Sequence, residues 1–587
     1  MSSKFVLFLC FILSSSTLFA KKNSELPLPP FASEVKDKLI FGKLSEDEVA
    51  TLKATLKSEI LQELKVPEQE WKQDVQPQLN FLELDGYFRM RVDAFNHCDL
   101  GTYNPANGIG TSGCPPPLSY LNAADAEQRP SWLLSANMRL RVDPTLNVSE
   151  DIRIKGTVDI FDNLVLGSTP YYMTGHEFPN PSIPMAFLSG TQNTPLVGIN
   201  NPYGAINVKR LWGEVTTPAG ELRFGRMPIQ FGLGLLYNAG NLDTNDYGDN
   251  IDGVMFATRV FGHYLIPGAS VSYTGAVGRG RGYNFSQEAG KVLVNAEPGP
   301  RYDLDPMDNV YSLFLMFSKK DKEIDAKVLL TENKLVLNYG LLGSYRFQLR
   351  DSMYAMLSPD KSDKWSDLNK EMIDRDAHMG VLSLWGDVRW SKLHIEAEAA
   401  GNFGRIANSK GLWGSDDANK DKKDPIWLIQ GGVALKSKYA FLNDRLEVGL
   451  DAGWASGGQA GEKNTYFRFN PDYRIDMLLF NQILGTISNA YYLRPHVGYF
   501  FTENLGIRGD VISSFAAASE ATPGKSHVLG LEIDGSVVYQ SAEGLHLVLQ
   551  YGLLIPFAGL SHMDTVDAKF RTATTASAIR LFAGISF

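Results

Sequence analysis

Charged side chains recur at every second position in several stretches of the chain, and their signs are sorted along it. Arg89, Arg91, Arg139, Arg141, Arg153, Lys155 and Arg223 crowd the first half, whereas Glu396, Glu398, Glu447, Asp451, Asp510, Glu532 and Asp534 crowd the second. If alternate positions face a common water-filled interior, two such walls line a pore and set up a transverse field that sorts ions. The competing reading is ordinary pairing between neighbouring segments. Asp85, Asp143 and Asp159 sit among the basic set, and Lys436, Arg445 and Arg508 among the acidic one.

Other chemistry is thinly represented. There is no nucleophile elbow, HExxH helix, phosphate-binding loop or Gly-rich dinucleotide turn, and the 9 histidines form no evident triad. The expectation is a protein without enzymatic activity. A lipase- or protease-like site assembled from distant strands is the rival. Asp243, Asp246 and Asp249 space oxygen ligands as a weak candidate for structural Ca²⁺, but Val254 stands where an EF-hand loop closes with Glu. No other cofactor is expected. Cys98 and Cys114 share one polar, Gly- and Pro-rich stretch and read as a disulfide in an exported chain, since zinc would need more ligands than they and His97 supply. A formal net charge of −10 and the lack of a basic cluster argue against a nucleic-acid partner.

The elements that must position these charges have period two. In Glu83–Asp93 the odd residues are mostly charged and the even ones apolar or Gly; Leu134–Asp143 and Asp151–Ile160 repeat the pattern. Successive strand side chains point to opposite faces, so each strand has one wet and one greasy side. About 18 such segments follow one another (16 is the near alternative), including stretches at 221–236, 251–261 and 268–279. Connections alternate in length. Ala219-Gly220, Ser391-Lys392, Leu442–Asp444, Thr502–Asn504 and Ala542–Gly544 are tight, whereas 94–131, 163–204, 280–307, 352–376, 408–425 and 457–488 read as long polar loops. Sorting short turns to one end and long loops to the other is the layout of a closed antiparallel transmembrane β-barrel. A soluble sandwich has no reason to adopt it.

Residues 1–20 read as a signal peptide: Lys4, an apolar Phe5–Leu13, then a small and polar approach to cleavage near Ala20. No later stretch approaches the about 18 apolar residues of a helical span. The mean hydropathy of −0.15 suits alternating strands. Residues 21–80 form a separate segment. Ser45-Glu46-Asp47-Glu48 is a capping box, and Val49, Leu52, Leu56, Ile60 and Leu64 follow at helical spacing. The spacing predicts an amphipathic helix over 46–65, either a short coiled coil joining protomers on the periplasmic side, or a helix resting on the barrel mouth or serving as a mobile tether. The barrel occupies 81–587.

Two local features carry a family resemblance. The last strand alternates Ile579, Leu581, Ala583, Ile585 and Phe587 on one face and ends in an aromatic residue. Trp212-Gly213-Glu214, the turn at Ala219-Gly220 and Glu221-Leu222-Arg223-Phe224-Gly225-Arg226 form an aromatic-rich hairpin reading roughly G-x-L-x-x-G-R. Both resemble bacterial outer-membrane barrels of the porin type. The resemblance implies an outer-membrane channel for passive diffusion of small polar or charged solutes. It places the N-terminal segment and the C-terminus in the periplasm and makes Phe587 the assembly signal for the barrel-insertion machinery. Membrane lipid, lipopolysaccharide and further copies of the chain are the implied neighbours. The alternative is a plugged barrel that acts through its long outer loops. One detail needs resolving: strict alternation turns Arg226 towards lipid, unless a bulge near Gly225 or Pro228 redirects it or it lies at the membrane edge.

Overall fold

The computed structural model describes residues 81–101, 132–165, 206–272, 284–288, 291–295, 307–352, 372–409, 424–458, 463–563 and 570–587. The chain divides into two units, Met1–Gln78 and Leu79–Phe587, and every described residue belongs to the second. The signal peptide and the helix expected at 46–65 lie outside the described residues.

Eighteen antiparallel strands close into a ring. They are β1 (Leu82–Asn96), β2 (Trp132–Asn147), β3 (Ile152–Val165), β4 (Ile206–Thr217), β5 (Gly220–Pro228), β6 (Asn250–Val260), β7 (His263–Ser272), β8 (Val310–Lys319) and β9 (Val336–Ser352). The second half comprises β10 (Met372–Trp390), β11 (Leu393–Ile406), β12 (Ile426–Phe441), β13 (Leu446–Ala455), β14 (Ala490–Phe500), β15 (Leu505–Ala516), β16 (Val528–Gln540), β17 (Leu545–Pro556) and β18 (Ala576–Ser586). Each strand pairs with its neighbours in the chain, and β18 returns to β1 with Val92 opposite Leu581. The backbone amide and carbonyl of Phe587 both bond to Gly86, at 3.0 and 3.1 Å, so the last residue helps seal the seam.

Alternation does what the sequence predicts. On β12 the outward positions Trp427, Ile429, Val433, Leu435, Tyr439 and Phe441 are all exposed. On β15 Ile507, Val511 and Phe515 are exposed, while Asp510, Ile512 and Ser514 turn inward and are buried. An outer wall of this kind suits lipid, where a charge near the midplane would cost about 2–4 kcal/mol. Among the described residues no helix is long and apolar enough to cross a membrane. Short connections gather at the end where β1 begins. The connection from β8 to β9 there carries one short helix, Glu323–Thr331.

Three boundaries differ from expectation. The segment expected at 221–236 is a strand only to Pro228, and the one at 268–279 is displaced to His263–Ser272. The displacement follows from a two-residue turn at Phe261-Gly262, where both residues have positive φ (50° and 82°). The ladder from Gly220 to Pro228 shows no register shift, so the bulge that would redirect Arg226 does not form. Arg226 instead lies near the long-loop end of β5 and makes a two-pronged ion pair with Asp252, both bonds at 2.7 Å. The third difference is the connection expected as polar loop 457–488. It is an apolar segment that folds into the barrel.

Candidate functional site

Two connections from the long-loop end turn inward and narrow the lumen: 229–249, between β5 and β6, and 465–489, between β13 and β14. Their apolar side chains explain the turn. Leu235, Phe467, Phe469, Tyr473, Ile475, Leu478, Leu479, Phe480, Ile483 and Ile487 are buried in one cluster inside the barrel. Met227, Ile229 and Phe231 join a second cluster with Met255, Phe314, Met316, Leu342 and Val381.

Polar groups on the wall hold each segment by its backbone. Arg89 donates to the carbonyl of Asn245 at 2.9 Å, and Arg139 to the carbonyls of Asn245 and Asp246 at 2.9 and 3.2 Å. Arg141 grips the carbonyl of Gly240 at 2.7 Å while bonding Asp159 through two nitrogens. Arg210 reaches the carbonyl of Ala239. The carboxylates mirror this arrangement. Glu398 accepts the amide of Leu235 at 3.2 Å, with Leu233 and Gly234 beside it. The approach requires glycine at 232, because a Cβ there would stand 2.7 Å from Glu398 Oε2. Glu532 accepts the amides of Met477, Leu478 and Leu479 at 2.7–3.0 Å, and Asp534 also accepts from Met477.

The two segments also bind each other. Asp472 accepts the amides of Asp246 and Tyr247, Asn470 donates to Asp249 at 2.6 Å, and Arg474 pairs with Asp246 at 2.7 Å. Burial raises the proton affinity of Asp246, but Arg91, Arg474 and Arg89 outweigh it and hold the carboxyl well below the ordinary range.

The charges singled out in the sequence therefore separate into groups. Arg89, Arg139, Arg141, Glu398 and Glu532 are buried behind the inward segments rather than open to the lumen. Arg153 is exposed near the short-turn end; Lys155 and Arg223 meet Glu214 at 3.1 and 3.3 Å, and Glu447 pairs with Lys438. Glu396 accepts from Trp385, and Asp451 pairs with Arg494. Arg91, Asp510 and Asp534 border a remaining crescent of about 220 Å³ between the inward segments and strands β14–β18 and β1. There they meet Arg474, Arg494, Arg580 and Asp476, which sequence reasoning missed. Arg474 was missed because it lies on the inward segment, whose density of Phe, Leu and Ile was the signal that could have found it. Among the described residues the buried Nε–H groups of Arg474 and Arg494 have no hydrogen-bond partner.

Asp243, Asp246 and Asp249 turn to His546, to arginines and to Asn470 respectively. Among the described residues no group of His, Cys, Asp and Glu side chains is placed to hold a metal ion. Cys98 is buried at the base of the first long loop; Cys114 lies outside the described residues.

No family model matches the chain, and no curated protein matches it. Several solved structures are similar. OpdK from Pseudomonas aeruginosa shares 10% identity over 86% of this chain and 98% of its own, with a TM-score of 0.41. A BenF-like porin from Pseudomonas fluorescens Pf-5 shares 11% over 86% and 100%, with a TM-score of 0.40. An anion-selective porin from Comamonas acidovorans shares 9% over 86% and 99%, with a TM-score of 0.36. At these values no residue role or solute transfers from them to this chain.

Proposed function

We propose that the chain is a porin-type outer-membrane channel that passes small charged solutes by diffusion through the crescent left open by its two inward segments. The observation that carries this reading is the crescent's lining. Four guanidinium groups and three carboxylates border one narrow space, a lining that suits charged solutes. An 18-stranded barrel is wide enough to leave an aqueous channel. The reading is non-enzymatic. It sets the short turns, the N-terminal segment and the C-terminus in the periplasm, with lipid and lipopolysaccharide around the apolar wall. The insertion machinery would engage the strand ending in Phe587, and homo-oligomers are compatible with it. A Cys98–Cys114 disulfide would staple the first outer loop.

The test is single-channel recording of the folded, purified chain in planar bilayers. Small, discrete conductance steps with a reversal potential displaced from zero in a salt gradient are expected. A second reading rests on the apolar cluster that the inward segments bury inside the barrel. If the lumen is plugged, the protein acts through its outer surface, and folded protein will show no steps at all.

A further inference from the structure

Segment 229–249 leaves a second chamber on its other side, and that chamber is built differently. It holds about 380 Å³ and is bounded by the segment and by strands β5–β9. That volume falls within the usual range of small-molecule sites, about 300–1,000 Å³. Register places the wall beside it in three tiers. Ser270, Ser312 and Arg346 stand side by side on β7, β8 and β9; the next tier is Gly268, Phe314 and Ser344; the third is Ile266, Met316 and Leu342. The lowest tier is apolar, and Leu342 is packed there with Met227 and Ile229. The chamber is therefore floored towards the short-turn end: it is a pocket, not a second passage.

Part of its polar lining is already engaged: Arg226 and Asp252 pair with each other, Asp249 accepts from Asn238 and Asn470, and Asn250 accepts from Arg210. The groups on β7–β9 are not. Among the described residues Arg346 makes no ion pair or hydrogen bond, and its Nε–H is buried. The hydroxyls of Ser270, Ser272, Ser312 and Ser344, which also line the chamber, have no partner there either. A guanidinium in such a place gains from an anion, and hydroxyls withdrawn from bulk water gain from hydrogen-bonding groups on a ligand. Phe314 and Tyr237 add apolar surface on which ring C–H groups can rest. We propose that this chamber binds a small polyhydroxylated acid of the sugar-acid class, with its carboxylate at Arg346 and its hydroxyls among the four serines. A simple anion would leave the serines unused, and a neutral sugar would leave the arginine unpaired. The same chemistry occurs in free sugar acids and in the acidic sugars of surface glycans.

Titration calorimetry of the detergent-folded full chain tests this with glucuronate, glucose and acetate as probes. Glucuronate is expected to bind roughly tenfold or more tightly than either of the others. Arg346→Gln should weaken it by a similar factor, and so should Ser312→Ala combined with Ser344→Ala. The serine variant covers the case in which Arg346→Gln does not fold. Purified lipopolysaccharide that displaces glucuronate would assign the natural ligand to a glycan; failure to displace would assign it to a free acid. Acetate binding as tightly as glucuronate, or full affinity in either folded variant, overturns the proposal. Binding here does not require an open channel, so the conductance reading and this one fail separately.

Discussion

Arg474 Nη2 donates to Asp246 Oδ2 at 2.7 Å, and this contact joins the two inward segments into one body. Asp246 also receives Arg89 and Arg91, so one carboxylate bridges three guanidinium groups, two from the wall strand β1 and one from the other inward segment.

Asp246→Ala should therefore do more than remove a surface charge. It breaks the ion pair of the fully buried Arg89 with Asp246, and breaking a buried pair costs on the order of 3–5 kcal/mol. We expect a lower midpoint in urea unfolding from detergent, and noisier, larger conductance steps as the two segments separate. Unchanged steps and an unchanged midpoint would refute the junction.

Glu532→Ala removes the acceptor of three consecutive buried amides. Each unsatisfied amide costs about 1–3 kcal/mol, so the turn at Met477–Leu479 should detach from the wall while the strands stay intact. Hydrogen exchange is the measurement: faster exchange confined to 477–483 is expected, with Glu532→Gln retaining most of the protection through its carbonyl.

The inward segment 465–489 should also respond to pH through Asp476. Burial first, and then the nearby charge of Glu532, push this carboxyl well above the ordinary range, against the amides of Phe480 and Asn481 that favour its ionised form. A carboxyl whose folded value is raised binds its proton more tightly in the folded state. Its contribution is complete in acid, below the ordinary carboxylate value, and falls as pH rises from there towards the folded value. Protection of the segment should accordingly decline from acid towards neutral pH, and Asp476→Asn should flatten that slope. A segment that loosens in acid would contradict the assignment.

Selectivity distinguishes the charges on the crescent from those behind the inward segments. Arg494→Gln should shift the reversal potential towards cations, because its guanidinium borders the open space from the barrel wall and takes no part in the junction between the segments. Reversing Arg89, Arg139 and Arg153 together, the natural choice from sequence alone, should instead disorganise segment 229–249 and change the size of the steps. A clean selectivity shift without a change in step size would show that these residues face the solute.

The intact mass of protein recovered from membranes tests two readings that rest on sequence. Cleavage near Ala20 fixes the mass of the mature chain. A Cys98–Cys114 disulfide makes it lighter by two hydrogen atoms and leaves no thiol for alkylation before reduction. An alkylated Cys98 in unreduced protein would remove the disulfide.

The barrel was legible because lipid on one side and water on the other impose period two on every strand, as in Glu83–Asp93. The interior was much less legible. Ile229, Phe231, Leu233 and Leu235 continue the alternation past Pro228, because a segment packed along the inner wall also has one apolar side; the pattern is the same although the ladder has ended. Phe467 to Ile487 looked like a loop by position, yet its apolar side chains require a dry environment. Charge sorting along the sequence was real, but whether an arginine faces solute or a neighbouring carbonyl depends on what folds over it. Arg91 and Arg89 are two residues apart on one face, and only Arg91 reaches the crescent.

Arg89, Arg139, Arg141 and Arg210 hold segment 229–249 chiefly by its carbonyl oxygens, and a carbonyl is the same whatever residue bears it. The clamp is therefore largely indifferent to the side chains it displays. Thr244, which borders the crescent from this segment, can therefore be exchanged to retune the aperture while the wall keeps its grip, a handle for engineering permeability.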